Sequence, residues 1–267
     1  MTPGTERDPL LLVQLTDNHL FAEPDGCLLG LPTLDSLRAV VDQVLREQPR
    51  IDLLLATGDL SQDGSEQSYR HLCEQHARID APVRWCAGNH DEGEAMARVA
   101  SAQMLQPVTD LGAWRIILLD SSVPGSVFGH LPDERLAWLE QALQAAEGRH
   151  CLVALHHHPV AIGSQWMDGI GLRNGDALMA LLARHEAVRV LLWGHVHQAF
   201  DQSRDGLRLL ASPSTGVQFT PHSADFQVSP QAPGYRWLRL HGDGRVETGV
   251  SRIAQGTFPV DLQGGDY

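Results

Sequence analysis

The sequence predicts an α/β fold in which two packed sheets are flanked by helices, and three observations lead to this fold class. Short apolar runs alternate with segments of helical periodicity along most of the chain, which is typical of α/β layers. The apolar runs are nearly continuous, as expected for strands that are covered on both faces. Three further strand-like segments near the end of the chain would form the second sheet.

Strands and helices alternate before residue 195. The predicted strands are 10–16, 51–57, 81–87, 114–120, 151–156 and 188–194. The predicted helices are 33–47, 65–78, 132–146 and 174–186. The helix over 132–146 has the clearest pattern, because Leu136, Leu139 and Leu143 follow at helical spacing and Pro132 suits a helix start.

The last part of the chain changes character, with the predicted strands 206–212, 234–241 and 245–253. The last two strands are joined through Gly-Asp-Gly, a turn sequence. We expect these strands to build a second sheet on the first. The domain organisation is then a flexible N-terminus (1–9), a single domain (10–253) and a C-terminal tail (254–267).

Composition excludes several classes of protein. A net charge of −13 over 267 residues argues against a dedicated nucleic-acid binder. No run approaches the roughly 18 apolar residues that span a bilayer, and the first residues show no signal-peptide pattern. We therefore expect a cytoplasmic protein without membrane partners. Its four scattered cysteines, including Cys86 and Cys151 inside apolar runs, are expected to be reduced, with a disulfide as the alternative.

Polar residues of metal-binding type follow five of the predicted strands. These are Asp17-Asn18-His19, Gly58-Asp59, Gly88-Asn89-His90-Asp91, His156-His157-His158 and Gly194-His195-Val196-His197. Open α/β sheets place their sites at the carboxyl ends of the strands. The sequence therefore predicts one site that several strand ends complete together.

The spacing and type of these residues indicate a two-metal centre. On extended backbone, alternate side chains share a side, so Asp17 and His19 should converge, as should His195 and His197. Glycines before Asp59, Asn89 and His195 let the backbone turn sharply beside the ions without a side chain in the way. Oxygen and nitrogen ligands without thiolate suit Mn, Fe, Zn or Co. A carboxylate such as Asp59 can bridge ions about 3.5–4 Å apart, and their surplus positive charge would attract a phosphate ester.

The motifs, in this order, resemble those of the calcineurin-like metallophosphoesterases. Within that superfamily, seven segments are similar to those of the bacterial class III 3′,5′-cyclic AMP phosphodiesterases: "QLTDNHLFA", "LATGDLSQDGS", "AGNHD", "LHHHPV", "GLRN", "WGHVHQ" and "PSTGVQF". The resemblance extends from Gln14 to about Arg252. It implies a four-layer α-β-β-α sandwich, two packed mixed sheets flanked by helices.

The resemblance also implies a ligand set for two divalent ions. One ion would be held by Asp17, His19, Asp59 and His197, and the other by Asp59, Asn89, His156 and His195. The implied substrate-binding residues are His19, Asp59, Asn89, His90 and His197. Iron or manganese is the expected metal, with zinc, cobalt and magnesium as alternatives.

The implied reaction is hydrolysis of 3′,5′-cyclic AMP to 5′-AMP by a metal-bridging hydroxide that attacks phosphorus in line. His90 would stabilise the phosphoryl oxygens and help to protonate the departing 3′ oxygen, with Asp91 orienting its ring. The expected partner is therefore a small cyclic nucleotide. The sequence leaves open whether the protein is a monomer or a dimer.

Two alternative functions remain. The first is a phosphodiesterase of broad or different specificity, acting on 2′,3′-cyclic nucleotides or glycerophosphodiesters, because a metal centre recognises phosphate and not the base. The second is a non-catalytic scaffold of the same fold. A scaffold should lack a ligand or His90, whereas this chain retains all of them.

Several residues near the motifs allow more than one interpretation. Of the three consecutive histidines, His156 is the expected ligand, and His157 should lie on the opposite side of an extended chain. Asp120 is expected to hydrogen-bond loop amides, with a catalytic role as the alternative. Trp166 belongs to the substrate rim, to the core or to a subunit contact. Gly216 stands where the related enzymes have cysteine, which we expect to affect substrate fit and not metal binding.

Overall fold

The computed structural model describes residues 8–264. Its strands are β1 (Leu10–Leu15), β2 (Cys27–Leu28), β3 (Leu31–Pro32), β4 (Leu53–Thr57), β5 (Val83–Cys86), β6 (Val108–Leu111), β7 (Trp114–Leu119), β8 (His150–Leu155), β9 (Val188–Trp193), β10 (Phe200–Arg204), β11 (Leu207–Ala211), β12 (Gln218–Phe219), β13 (Val228–Ser229), β14 (Gly234–Leu240) and β15 (Val246–Arg252). Its helices are α1 (Thr33–Glu47), α2 (Glu66–His76), α3 (Gly93–Val99), α4 (Asp133–Gln144), α5 (Gln165–Asp168) and α6 (Gly175–Leu182).

Two mixed sheets form the centre of the molecule. The first has the strand order β15-β14-β1-β4-β5, in which β1, β4 and β5 run parallel and the other neighbours pair antiparallel. The second has the order β10-β11-β9-β8-β7-β6, with antiparallel pairs at its two edges. The parallel strands of each sheet bring their carboxyl ends to one edge, where a site is expected.

Apolar residues on both faces of the strands create the four layers. In β1, Leu12 packs between the two sheets, whereas Val13 and Leu15 pack with the outer helices α1 and α2. The second sheet repeats this arrangement with α4 and α6 on its outer face. Because side chains alternate along a strand, covering both faces requires an apolar residue at nearly every position. The predicted α-β-β-α sandwich is confirmed.

The prediction that the last strands form the second sheet is wrong. Only β11 joins the second sheet, where it pairs with β9. Strands β14 and β15 extend the first sheet instead, with Leu240 opposite Leu10 and Gln14 opposite Arg236. The free edge of β1 accepts β14, a long-range pairing that the local pattern does not contain. Strands β6 and β10 and helix α3 were not predicted; β10 is an edge strand of mostly exposed polar residues.

The ends of the chain lie partly outside the described residues. Residues 1–7 of the predicted flexible N-terminus and 265–267 of the tail are in that part, and the proposed domain boundaries stay a prediction. Within the described tail, Asp261 donates its backbone N–H to Leu29 at 2.8 Å. The four cysteines are free, with Cys86 and Cys151 buried as expected. No helix within residues 8–264 is long and apolar enough to cross a membrane.

Candidate metal centre and substrate cleft

The predicted metal ligands converge where the parallel strands of both sheets end. Asp17 follows β1, Asp59 follows β4, and Asn89 follows β5. Six of the seven have an exposed fraction of 5% or less: Asp17, His19, Asp59, His156, His195 and His197. Asn89 and the neighbouring His90 are half-buried and line a cleft. A set of carboxylates and imidazoles this deeply buried needs compensation by a cation or by hydrogen bonds.

The backbone conformation at these ligands differs from the prediction. Five of them have a positive φ: Asp17 at 54°, His19 at 47°, Asp59 at 49°, His195 at 67° and His197 at 48°. The i, i+2 pairs therefore converge through left-handed turns and not along extended strand. Such a conformation costs a residue with a side chain about 1–3 kcal/mol and concentrates at functional sites. Long-range bonds hold it in place, including Asp17 N–H to the Gly58 carbonyl at 3.0 Å.

The glycines before the ligands are required, as predicted. Gly58 has a φ of +93°, and a Cβ there would collide with the His156 ring. A Cβ on Gly88 would collide with the Asp59 carboxylate, and one on Gly194 would lie 2.9 Å from the nearer Asp17 oxygen. Absence of a side chain at these points allows the ligand-bearing loops to approach one another.

The first group of candidate ligands contains Asp17, His19 and His197, whose ligand atoms lie within 4.8 Å of one another. The Nε2 atoms of His19 and His197 are 3.2 Å apart. His197 Nε2 is 3.5 Å from Asp17 Oδ1, and His19 Nε2 is 3.8 Å from Asp59 Oδ2. Asp17 Oδ2 is buried and accepts no hydrogen bond from the described residues. A cation would satisfy this oxygen and both nitrogens.

The second group is built around His156. Its Nε2 lies 3.1 Å from Asp59 Oδ2 and 3.2 Å from Asn89 Oδ1. Asp59 therefore faces both groups, as a bridging carboxylate must. The backbone N–H of His195 donates to Asp17 Oδ1 at 2.8 Å, which ties the loop after β9 to the loop after β1.

Hydrogen bonds to the outer ring nitrogens set the tautomers of the candidate ligand histidines. A carbonyl oxygen can only accept, so in the neutral ring the nitrogen facing it carries the proton and the other nitrogen presents its lone pair. Nδ1 of His156 donates to Thr57 O at 2.9 Å, and Nδ1 of His197 donates to Val217 O at 2.7 Å. His195 has the opposite tautomer, because its Nε2 donates to the Ile170 carbonyl at 3.2 Å.

Sequence reasoning missed two side chains that orient these rings. Gln62 Oε1 accepts from Nδ1 of His19 at 2.6 Å, and the Phe219 ring stacks on His197 at 4.1 Å and 10°. Both residues lie inside the segments quoted for the resemblance, "LATGDLSQDGS" and "PSTGVQF". The sequence therefore shows that both residues belong to the motifs, but nothing in the local sequence indicates which histidine ring each one contacts.

Burial and charge act in opposite directions on the titratable groups. Burial lowers the pKa of His19 to about 3, so this ring is neutral. Burial also disfavours the charged form of His156, but attraction to the Asp59 carboxylate outweighs it and raises its pKa to about 9. Burial raises the pKa of Asp59, yet His156 and other histidines hold it well below its usual range. The group is therefore strongly coupled through Asp59.

The three consecutive histidines differ in part from the prediction. His157 was expected on the opposite side, but its ring centre is 4.9 Å from His156 and 4.8 Å from His195. Its Nδ1 is 2.8 Å from Ser121 Oγ, and its buried Nε2 has no hydrogen-bond partner among the described residues. His158 stacks on His195 at 5.6 Å. Because only His156 of the three approaches Asp59 and Asn89 this closely, its contacts support its assignment, which stays a prediction.

His90 and Asp91 have different surroundings. The His90 ring lies edge-on to His19 at 5.0 Å, and its backbone N–H donates to Asp59 Oδ1 at 2.9 Å. The half-buried Asp91 carboxylate accepts from Gly88 N–H at 2.8 Å and from the Tyr69 hydroxyl at 3.0 Å. It also accepts from the two N–H groups after Asp59, at 3.0–3.2 Å. These bonds join two ligand loops, and the predicted orientation of His90 by Asp91 stays a prediction.

The cleft beside His90 has a volume of about 770 Å³. Its lining comes from three loops, 62–64, 88–94 and 120–125. Asp120 lies on the wall formed by the third loop and accepts from Ser122 N–H at 2.9 Å and Ser122 Oγ at 2.6 Å. The predicted bonding of Asp120 to a loop amide is confirmed.

The remaining uncertain residues lie away from this cleft. Gly216 is buried in the loop before β12 and is not among the described residues that line the cleft, which does not favour the expected effect on substrate fit. The Trp166 ring packs edge-on against Phe219 and Phe226, both at 5.2 Å, and its Nε1 donates to Ser223 Oγ. Of the interpretations of Trp166, these contacts favour the core.

Comparison with known proteins agrees with this geometry. The family model of the calcineurin-like phosphoesterases matches residues 10–199. The chain is 56% identical to the Pseudomonas aeruginosa 3′,5′-cyclic adenosine monophosphate phosphodiesterase CpdA, over 100% of this chain and 98% of that protein. It is 42% identical to the CpdA protein of Escherichia coli strain K12, over 96% and 94%.

Solved structures with low sequence identity share the fold. A dimetal phosphatase from Danio rerio aligns with a TM-score of 0.63 at 19% identity, over 92% of this chain and 100% of that chain. A purple acid phosphatase from yellow lupin aligns with a TM-score of 0.65 at 15% identity, over 97% and 54%. The resemblance drawn from the motifs is confirmed, and the chain belongs to the calcineurin-like phosphoesterase family.

Proposed function

We propose that this protein is a metal-dependent phosphodiesterase that hydrolyses 3′,5′-cyclic AMP to 5′-AMP. The observation that carries the proposal is the buried convergence of Asp17, Asp59 and four histidines beside an open cleft. The full-length similarity to proteins named 3′,5′-cyclic adenosine monophosphate phosphodiesterase supports the choice of substrate.

The residues present fit two divalent ions. One would be held by Asp17, His19, Asp59 and His197, and the other by Asp59, Asn89, His156 and His195. Asp17 Oδ2 is buried without a hydrogen-bond partner among the described residues, and the Nε2 atoms of His19 and His197 face each other at 3.2 Å, so this group offers one oxygen and two nitrogens to a cation. When bound, such ions neutralise phosphoryl charge and lower the pKa of water. Ligand type favours iron or manganese, with zinc, cobalt and magnesium as alternatives.

We infer that His90 acts on the phosphoryl group. Its backbone is held by Asp59 Oδ1, and its half-buried side chain lines the cleft next to Asn89. From this position the ring donates a hydrogen bond to a phosphoryl oxygen and supplies a proton to the departing 3′ oxygen. His19, Asp59, Asn89 and His197 would contact the substrate from the metal side.

The test of this function is a comparison of kcat/KM for 3′,5′-cyclic AMP, 2′,3′-cyclic AMP and bis(4-nitrophenyl) phosphate with enzyme loaded with Mn or Fe. We expect 3′,5′-cyclic AMP to be preferred, with 5′-AMP as the only nucleotide product. Faster hydrolysis of the other two esters would leave a phosphodiesterase of different specificity.

A variant of His90 tests its role separately. H90A should lower kcat by about 10²- to 10⁴-fold, while atomic emission still finds two ions per chain. H150A is the control, because His150 begins β8 of the second sheet, at the end of that strand opposite to His156. Turnover of H90A equal to that of H150A would refute the role assigned to His90.

Two further predictions remain to be measured. We propose a cytoplasmic location, which cell fractionation would test. Whether the protein is a monomer or a dimer is open, and light scattering of the metal-loaded protein would decide it.

A further inference from the structure

The cleft beside the candidate metal centre has walls of different chemistry. The candidate ligand Asn89 and its neighbour His90 line one wall, the metal end of the cleft, and residues 120–125 line another. If the phosphate of a cyclic nucleotide lies at the metal end, as the proposed function requires, the base extends toward one of the remaining walls. The wall at 120–125 is the one with chemistry suited to a purine.

That wall combines an apolar surface with a hydrogen-bond acceptor. Val123 and Pro124 are the apolar side chains among the described residues that line the cleft; the others are glycine, polar or acidic. A turn closed by Ser126 N–H donating to the Val123 carbonyl at 3.0 Å holds them in place. Flat apolar surfaces of this kind pack against the faces of aromatic rings.

Asp120 supplies the acceptor. It is exposed in the cleft, and Ser122 restrains the carboxylate through two hydrogen bonds to Oδ1. Neither carboxylate oxygen forms an ion pair within residues 8–264, and the described lining of the cleft contains no lysine or arginine. Oδ2 is therefore available to accept from a substrate.

We propose that Asp120 determines the base specificity of this enzyme by accepting a hydrogen bond from the 6-amino group of adenine, with Val123 and Pro124 against the purine face. The proposal rests on the proposed function. Adenine presents an N–H donor at position 6, whereas guanine and hypoxanthine present a carbonyl oxygen there. A carboxylate attracts the N–H donor and repels the carbonyl oxygen, so the enzyme distinguishes adenine from guanine and hypoxanthine by the group at position 6.

The experiment compares four substrates that separate base from phosphate recognition. They are 3′,5′-cyclic AMP, 3′,5′-cyclic IMP, the 3′,5′-cyclic phosphate of unsubstituted purine riboside, and bis(4-nitrophenyl) phosphate. The wild-type protein should prefer cyclic AMP over cyclic IMP by about tenfold or more in kcat/KM, the range of one hydrogen bond to a charged group. Most of the difference should appear in KM.

D120N is the decisive variant, because an amide keeps the Oδ1 acceptor for Ser122 and offers an N–H to a 6-carbonyl. It should lower the ratio of kcat/KM for cyclic AMP to kcat/KM for cyclic IMP by about tenfold. The rates for the cyclic phosphate of unsubstituted purine riboside and for bis(4-nitrophenyl) phosphate should be unchanged. D243N is the matched control. Asp243 makes the same type of turn, accepting from Arg245 N–H at 3.0 Å, at the opposite end of the first sheet.

The outcomes are distinguishable. A wild-type enzyme that cleaves bis(4-nitrophenyl) phosphate but not cyclic AMP refutes the proposed function and this inference with it. A preference for cyclic AMP that D120N leaves within twofold of the wild-type ratio refutes the role of Asp120 alone. An equal change in D243N also refutes it, because the effect would then not originate in the cleft.

Discussion

Removal of one hydroxyl, in Y69F, tests how the two ligand loops are held together. Tyr69 lies on α2 and is fully buried. Its hydroxyl donates to Asp91 Oδ1 at 3.0 Å and accepts from Glu92 N–H at 2.9 Å. Asp91 in turn binds the loop that carries Asp59 and the glycine before Asn89. The hydroxyl therefore supports both loops without contacting a candidate ligand.

The expected loss of stability follows from these two bonds. A hydrogen bond to a charged group contributes about 1.5–3 kcal/mol. The Glu92 N–H, at the start of α3, lies near the surface, so water replaces the lost acceptor at a cost of up to about 1 kcal/mol. Y69F should thus lower the free energy of unfolding by about 3 kcal/mol. For a chain of this size that lowers Tm by roughly 6–12 °C.

Activity should fall as well, because Asn89 and His90 lose part of their support. We expect kcat to decrease by about tenfold, since small displacements of positioned groups cost this much or more. Y235F is the matched control. Tyr235 is equally buried, and its hydroxyl donates to Glu47 at 2.6 Å and accepts from Gln48 at 3.0 Å, far from the site.

The assay is thermal unfolding and steady-state hydrolysis of bis(4-nitrophenyl) phosphate for both variants at the same metal loading. Y235F should lose stability but keep its kcat. The reasoning is refuted if Y69F melts within 1 °C of the wild type, or if the two variants lose kcat to the same extent.

Three further predictions concern single residues. G88A should abolish metal binding, measured by atomic emission, because its Cβ would overlap the Asp59 carboxylate; G93A, where a Cβ meets nothing within 4 Å, is the control. Burial lowers the pKa of His76 to about 3 in the folded protein, below 6.5 in the unfolded chain, so the unfolded state binds more protons. The contribution of His76 to stability is therefore lost as pH falls from 6.5 toward 3, by about 1.4 kcal/mol per pH unit. Urea unfolding of H76Q should show a smaller loss of unfolding free energy over this pH range than that of the wild type. G216C should keep kcat within twofold, because a Cβ there meets its nearest atoms at 3.5 and 3.7 Å, as steady-state kinetics would show.

Each of these has an outcome that contradicts it. Normal metal content in G88A would mean that the loop moves to make room. Parallel pH profiles of stability for the wild type and H76Q would show that His76 is not buried as a neutral ring. A G216C enzyme with a raised KM would restore the expected link between this position and substrate fit.

The local pattern was sufficient for the central strands and for the chemical type of the candidate site. Nearly continuous apolar runs predicted the strands β1, β4, β5, β7, β8 and β9, because strands covered on both faces need an apolar residue at nearly every position. The candidate ligands were recognisable because metal binding needs particular atoms, which short motifs at strand ends supply.

Only the tertiary structure decided how these pieces combine. Strand β14 joined the first sheet by pairing with β1, more than 200 residues earlier in the chain, and β15 followed by pairing with β14. The left-handed backbone at Asp17 and His195 is held by contacts between loops of both sheets, so no local preference indicates it. For the same reason Gln62, Tyr69 and Asp120 acquired their positions beside the site only through folding: hydrogen bonds depend on distance in space, which the order of residues does not contain.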